Sequence, residues 1–264
     1  MENSPNLLIV GAMKCTTTTL YELLAAHIQI YEPEVKEPAF LARRNYSAGK
    51  CKELYNQLFA DAGNALYRLE GSTGYTMRPR IDHCAERARQ ILGTEVRIIY
   101  MILEPLGRIQ SHYKHLLRSG QINNGFEESC RALPEFITFS QYFYQIKPWV
   151  DLFGQERVYL IDFDDFTRNT QVELAKVQKF LQLKEPFPHH ERVANAGAGQ
   201  QRCTFIASAT IRQYWAHQMR PRGSTRHGRK KSSALTSGTA LGATLPLPHR
   251  RWHGPSGRRD PPGC

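Results

Sequence analysis

The 264-residue sequence predicts a three-layer α/β fold in which a central parallel sheet is flanked by helices. Three observations predict it. Residues 7–10 (LLIV) form a short apolar run that fits a strand buried on both faces. Residues 96–103 (VRIIYMIL) form a longer run of the same kind. Around both, apolar runs alternate with segments of helical spacing, and that alternation builds a parallel sheet covered on each side.

The first run ends at Gly11, where a backbone without Cβ can turn sharply. Lys14 follows, then Thr16, Thr17, Thr18 and Thr19, and Leu20, Leu23 and Leu24 fall at helical spacing. This order makes an anion site. Free N–H groups at a helix start, the positive end of the dipole and a lysine converge on one point, and phosphate is the expected occupant. Without a glycine directly before Lys14, the stretch departs from the G-x-x-x-x-G-K-[ST] pattern of ordinary nucleotide sites. A plainer reading stays open, with the threonines as N-caps and Lys14 solvated.

Residues 27–31 read as extended, and 34–41 as a loop centred on Pro38. Helical spacing covers 50–59, a strand is predicted over 67–69, and a proline-opened helix over 79–92. After the strand at 96–103, Pro105 starts a helix that runs to about Arg118. Further helices are predicted over 126–133 and 140–153, a strand over 157–161, and a helix capped by Thr167 that runs through Leu181. Ligands in such folds sit at the carboxyl ends of the strands, which is where the Lys14 loop lies.

The formal charge of +11 is located in one place. Residues 201–264 hold 12 Lys+Arg and a single acid, Asp260, while residues 1–200 balance at 23 basic and 23 acidic side chains. The folded part is therefore neutral, and no nucleic-acid partner is expected. Glycines and prolines break any core-forming period beyond about residue 195. Residues 196–264 are expected to form a mostly disordered basic tail rich in Gly, Pro and Arg, with one helix near 204–217. The six cysteines form no CxxC or CxxH pair, and His112, His115, His189 and His190 lack partners at ligand spacing, so no metal is expected. With no secretory segment and no apolar run near the roughly 20 residues of a membrane helix, a soluble cytoplasmic protein without a membrane span is expected.

Three segments in order resemble the sulfotransferases that use 3′-phosphoadenosine 5′-phosphosulfate (PAPS), in particular the bacterial and heparan-sulfate-type branch. They are GAMKCTTTTL (11–20), KEPAFL (36–41) and ILEPLGRIQSHY (102–113). A weaker likeness covers EGSTGY (70–75) and LIDFDDF (160–166), and the similarity spans about 5–195. The resemblance implies a P-loop-like fold and transfer of a sulfuryl group from PAPS, the co-substrate, to a hydroxyl or amine. The acceptor class stays open between small molecules and carbohydrates. The resemblance also implies site roles. Lys14 and the loop formed by Cys15, Thr16, Thr17, Thr18 and Thr19 would hold the 5′-phosphate, with Lys14 stabilising leaving-group charge. Glu37 would be the catalytic base, and Ser111, aided by Arg108, would bind the 3′-phosphate.

The sequence departs from the family pattern at Thr16, where a glycine is usual, at Ala39, where a histidine is common, and at Leu103, in the place of a phosphate-binding arginine. Two alternatives therefore stay open: a catalytically weak or inactive binding protein on the same fold, and a P-loop kinase.

Overall fold

The computed structural model describes residues 3–189. Five strands form one parallel sheet in the order β2-β3-β1-β4-β5: β1 (Leu7–Gly11), β2 (Ile30–Tyr31), β3 (Tyr67–Gly71), β4 (Arg97–Ile102) and β5 (Val158–Asp162). β1 lies at the centre, with Leu7 paired to Leu69 on one side and to Arg97 on the other. All of β1 is buried, as is β4 after Arg97, which is why neither strand shows an alternating pattern in sequence.

Helices complete the two outer layers: α1 (Thr17–Ala25), α2 (Ala48–Leu58), α3 (Cys84–Leu92), α4 (Pro105–Arg118), α5 (Phe126–Ala132), α6 (Glu135–Thr138), α7 (Tyr142–Phe153), α8 (Phe163–Arg168) and α9 (Thr170–Leu181). The fold class is the predicted one. Among the described residues no helix is long and apolar enough to cross a membrane. The tail at 196–264 and its helix near 204–217 lie outside the described residues.

Several boundaries differ from expectation, each for a local reason. α3 starts at Cys84 and not at Pro79, because His83 takes a left-handed φ of 64° that a helix cannot pass through. The helix expected from Thr167 is two helices. Asp162 caps α8 through the amides of Asp164 and Asp165, and Asn169, extended at φ −150°, caps α9 through Val172 N. Inside α7, Pro148 supplies no N–H to the Tyr144 carbonyl, and Arg78 Nη1 donates to that carbonyl at 3.1 Å instead.

The last described turn is tied back to the first βα unit. His27 is buried; its Nδ1 accepts from Gln29 N at 3.1 Å, its Nε2 donates to the Glu185 carbonyl at 2.8 Å, and its ring meets Phe187 edge-on at 4.9 Å.

Candidate functional site

Because β1 sits between β3 and β4, the segments that leave these three strands emerge side by side at the carboxyl edge of the sheet. The segment after β1 is pinned on both flanks. Thr76 Oγ1 donates to the Val10 carbonyl at 2.7 Å, and Ala12 N donates to the Met101 carbonyl at 2.8 Å. Gly11 is required for this approach: its φ is 150°, and a Cβ there would lie 2.1 Å from Thr76 Oγ1.

From Gly11 the chain turns through Lys14 (φ 65°) and Thr16 (φ 60°) into α1. Thr16 stands at the N-cap position, yet no side chain makes a capping bond and no acid lies in the first turn. The N-cap reading of the threonines therefore fails, and among the described residues the first-turn amides of α1 have no side-chain acceptor. α4 behaves differently. The Glu104 carboxylate accepts from Leu106 N at 2.9 Å and from Gly107 N at 2.7 Å, so that helix start already holds an anion of its own.

The predicted site residues separate into two groups. Lys14, Thr16 and Thr19 are half-buried, Thr17 is buried and Thr18 is exposed. Glu37 is exposed, and with Ile9, Thr17, Tyr21, Lys36, Gly71 and Thr73 it lines a crevice too tight for a water molecule. The structure thus brings the α1 start and Glu37 together. Cys15 is fully buried, and burial pushes its thiol up to about 12, which leaves the sulfur protonated and only its backbone useful to a ligand.

The second group lies on α4. Ser111 is half-buried on α4. Arg108 is not a surface charge but is 0% exposed. Its Nε donates to Ser140 Oγ at 2.5 Å and its Nη2 to the Phe136 carbonyl at 2.7 Å, while Nη1 is buried without a hydrogen-bond partner. It makes no ion pair with a carboxylate among the described residues, and burial lowers its pKa. Next to it, His112 packs against Phe136 at 4.7 Å; burial and then Arg108 draw it down to about 3, so it is a neutral ring. Leu103 is partly buried against the core, and its carbonyl accepts from Tyr142 Oη at 2.7 Å.

Charge couples the cleft. Burial raises the Glu37 pKa, and Lys36, a hydrogen bond from Thr73 and Lys14 oppose that rise. Burial and then Arg118 lower Lys14, against the pull of Glu37. Lys36 Nζ sits over the Tyr21 ring at 5.1 Å. Sequence reasoning gave no site role to Thr73, Tyr21 or Lys36. The signal for Thr73 was available in EGSTGY, which leaves β3 next to the Lys14 loop. Among the described residues no group of His, Cys, Asp and Glu gathers that could hold a metal ion.

A carboxylate beside a lysine and an uncapped helix start can receive a proton from one reactant while holding the phosphate of another. Comparison with known proteins bears on which reactants these are. The family model described as sulfotransferase domain matches residues 4–196. The bifunctional heparan sulfate N-deacetylase/N-sulfotransferase 1 of Caenorhabditis briggsae is 23% identical over 212 residues, covering 71% of this chain and 24% of that protein. Heparan sulfate glucosamine 3-O-sulfotransferase 5 of Homo sapiens is 23% identical over 211 residues, covering 75% of this chain and 59% of that protein. The matched region thus spans less than two thirds of the length of these relatives. A solved sulfotransferase from Alicyclobacillus acidocaldarius shares the fold, with a TM-score of 0.62 at 24% identity over 81% of this chain and 92% of that one.

Proposed function

The chain belongs to the sulfotransferase domain family, and on that premise we propose that it moves a sulfuryl group from PAPS to a hydroxyl or amine of a carbohydrate acceptor. The observation that carries this reading is the placement of Glu37 beside Thr17 at the uncapped start of α1, within electrostatic reach of Lys14. The carbohydrate class comes from the relatives whose names specify heparan sulfate.

PAPS supplies an activated sulfuryl group on a phosphate that gains charge as it leaves. Lys14 and the amides of the loop from Cys15 to Thr19 bind the 5′-phosphate end, and the lysine offsets the developing charge. The Thr17 and Thr18 hydroxyls add donors to the same oxygens. Glu37 accepts the proton of the attacking hydroxyl or amine, a role worth about 10²–10⁴ in rate. Thr73 lines the same crevice and is placed to orient that carboxylate. Ser111 binds the 3′-phosphate. Arg108 acts from beneath, where its buried guanidinium adds positive potential and holds the segment from Phe136 to Ser140 against α4.

The test has two arms. Calorimetry with the product nucleotide, 3′-phosphoadenosine 5′-phosphate (PAP), is expected to show binding that Lys14→Ala abolishes. Transfer from radiolabelled PAPS to desulfated heparan oligosaccharides is expected in the wild type and not in Glu37→Gln, which retains PAP affinity. Absence of PAP binding by folded protein overturns the reading. Binding without transfer to any acceptor identifies a non-catalytic member of the family.

A further inference from the structure

The loop that carries Glu37 is strained. Glu37 and Ala39, on either side of Pro38, both take left-handed φ values, 53° and 50°. Neither is a glycine, and such conformations cost about 1–3 kcal/mol each and persist only where surrounding contacts over-determine them. The contacts come from one segment, residues 70–75. Ser72 Oγ accepts from Ala39 N at 3.1 Å, and Tyr75 Oη accepts from Leu41 N at 3.4 Å.

Both contacts lead to Glu70. Its side chain is 1% exposed and accepts from Ser72 Oγ at 2.7 Å, Tyr75 Oη at 2.5 Å and Tyr55 Oη at 2.5 Å. Ser72 and Tyr75 share Oε1, and Tyr55, whose hydroxyl lies 3.2 Å from that of Tyr75, takes Oε2. Burial raises the Glu70 pKa, and the three hydroxyl bonds oppose that rise. Ser72 and Tyr75 each turn their single proton toward Oε1 and keep lone pairs for other donors. For Ser72 and Tyr75 those lone pairs face the amides of Ala39 and Leu41. One buried side chain thus anchors both hydroxyls that accept from the loop's amides.

We propose that Glu70 is a positioning residue, which fixes the left-handed loop around Pro38 through Ser72 and Tyr75 and so holds Glu37 at the cleft. The link to catalysis rests on Glu37 acting as the base; the link to loop geometry does not. Glu70 itself is fully enclosed and touches no reactant. Glutamine would keep an oxygen for Ser72 and Tyr75 and set its amide against Tyr55, whereas leucine removes the acceptor of both loop-holding hydroxyls.

The experiment compares the wild type with Glu70→Leu and Ser72→Ala in the full chain. Ser72→Ala removes the Ala39 contact and leaves Glu70 with both tyrosines, so it serves if Glu70→Leu folds poorly. Amide hydrogen exchange by NMR is expected to speed up by about tenfold or more at Ala39 and Leu41 in Glu70→Leu, and at Ala39 in Ser72→Ala. That factor corresponds to losing one hydrogen bond of about 1.4 kcal/mol. Exchange in β1 and PAP affinity are expected to stay at wild-type values. In transfer from PAPS to the desulfated oligosaccharide, kcat is expected to fall by about a hundredfold, as for small misplacements of a reacting group, with KM for PAPS unchanged. The double variant Glu37→Gln/Glu70→Leu is expected to be no slower than Glu37→Gln alone, because Glu70 acts only through Glu37. Unchanged exchange at Ala39 and Leu41 in both variants overturns the proposal, as does faster exchange throughout the sheet. An active Glu37→Gln overturns instead the assignment of the base, and the exchange data then still decide whether Glu70 sets the loop.

Discussion

Lys14 and Glu37 act on each other's charge across the cleft, each favouring the ionised form of its partner. They come from different loops, one after β1 and one after β2, and sequence separation hides the pairing. Burial outweighs the mutual attraction at both residues, so each titrates on the neutral-favouring side of its ordinary value.

A bell-shaped dependence of kcat/KM on pH follows. Glu37 must be ionised to take a proton, and its pKa is raised, so the acid limb is expected above the ordinary 4.5 of a glutamate. Lys14 must stay charged to hold phosphate, and its pKa is lowered, so the alkaline limb is expected below 10.5. Lys36→Met removes a cation that lowers Glu37 and is expected to move the acid limb further up. A limb that does not move in this variant would separate Lys36 from the base.

Thr16→Gly is expected to stabilise the protein. A β-branched residue at φ 60° pays about 1–3 kcal/mol that glycine does not, while glycine loses roughly 0.5–1 kcal/mol more on ordering. The net gain of about 1 kcal/mol corresponds to a rise of about 2–4 °C in Tm, measurable by scanning calorimetry. Removal of the side chain also opens the loop backbone, so PAP binding is expected to tighten in the same variant.

Leu103→Arg is expected to strengthen PAP binding by about tenfold to a hundredfold, the worth of one charge-assisted contact of about 1.5–3 kcal/mol. Leu103 lies at the junction of β4 and α4, partly covered by the core, so a modest drop in Tm is expected alongside. Calorimetric titration of both proteins with PAP measures the first effect. Unchanged affinity would mean that the 3′-phosphate does not reach this junction.

Much of the fold was legible in sequence because its central strands are buried on both faces and so carry continuous apolar runs at 7–10 and 96–103. The Lys14 loop was legible because strand, glycine, lysine and helix are consecutive. What escaped depends on contacts distant in sequence. Arg108 reads as a first-turn arginine, and only its reach to Phe136 and Ser140 explains why it is buried. Thr167 and Asn169 are both plausible caps by type, and the backbone extension at Asn169 decides between them. The docking of residues 37–41 onto residues 72–75 leaves no local periodicity at all.

The contacts of His27 bear on where the domain can be cut. A chain stopped after position 183 lacks both the Glu185 carbonyl and the Phe187 ring, uncovers a histidine now 1% exposed, and leaves its Nε2 donor to water. Loss of that bond and covering ring is expected to cost about 1–3 kcal/mol, a noticeable share of the roughly 5–15 kcal/mol that holds a typical domain folded. A chain stopped after position 189 keeps every one of these contacts. For expression and crystallisation, a C-terminal boundary must therefore lie beyond the edge-on His27–Phe187 ring pair rather than at the end of α9.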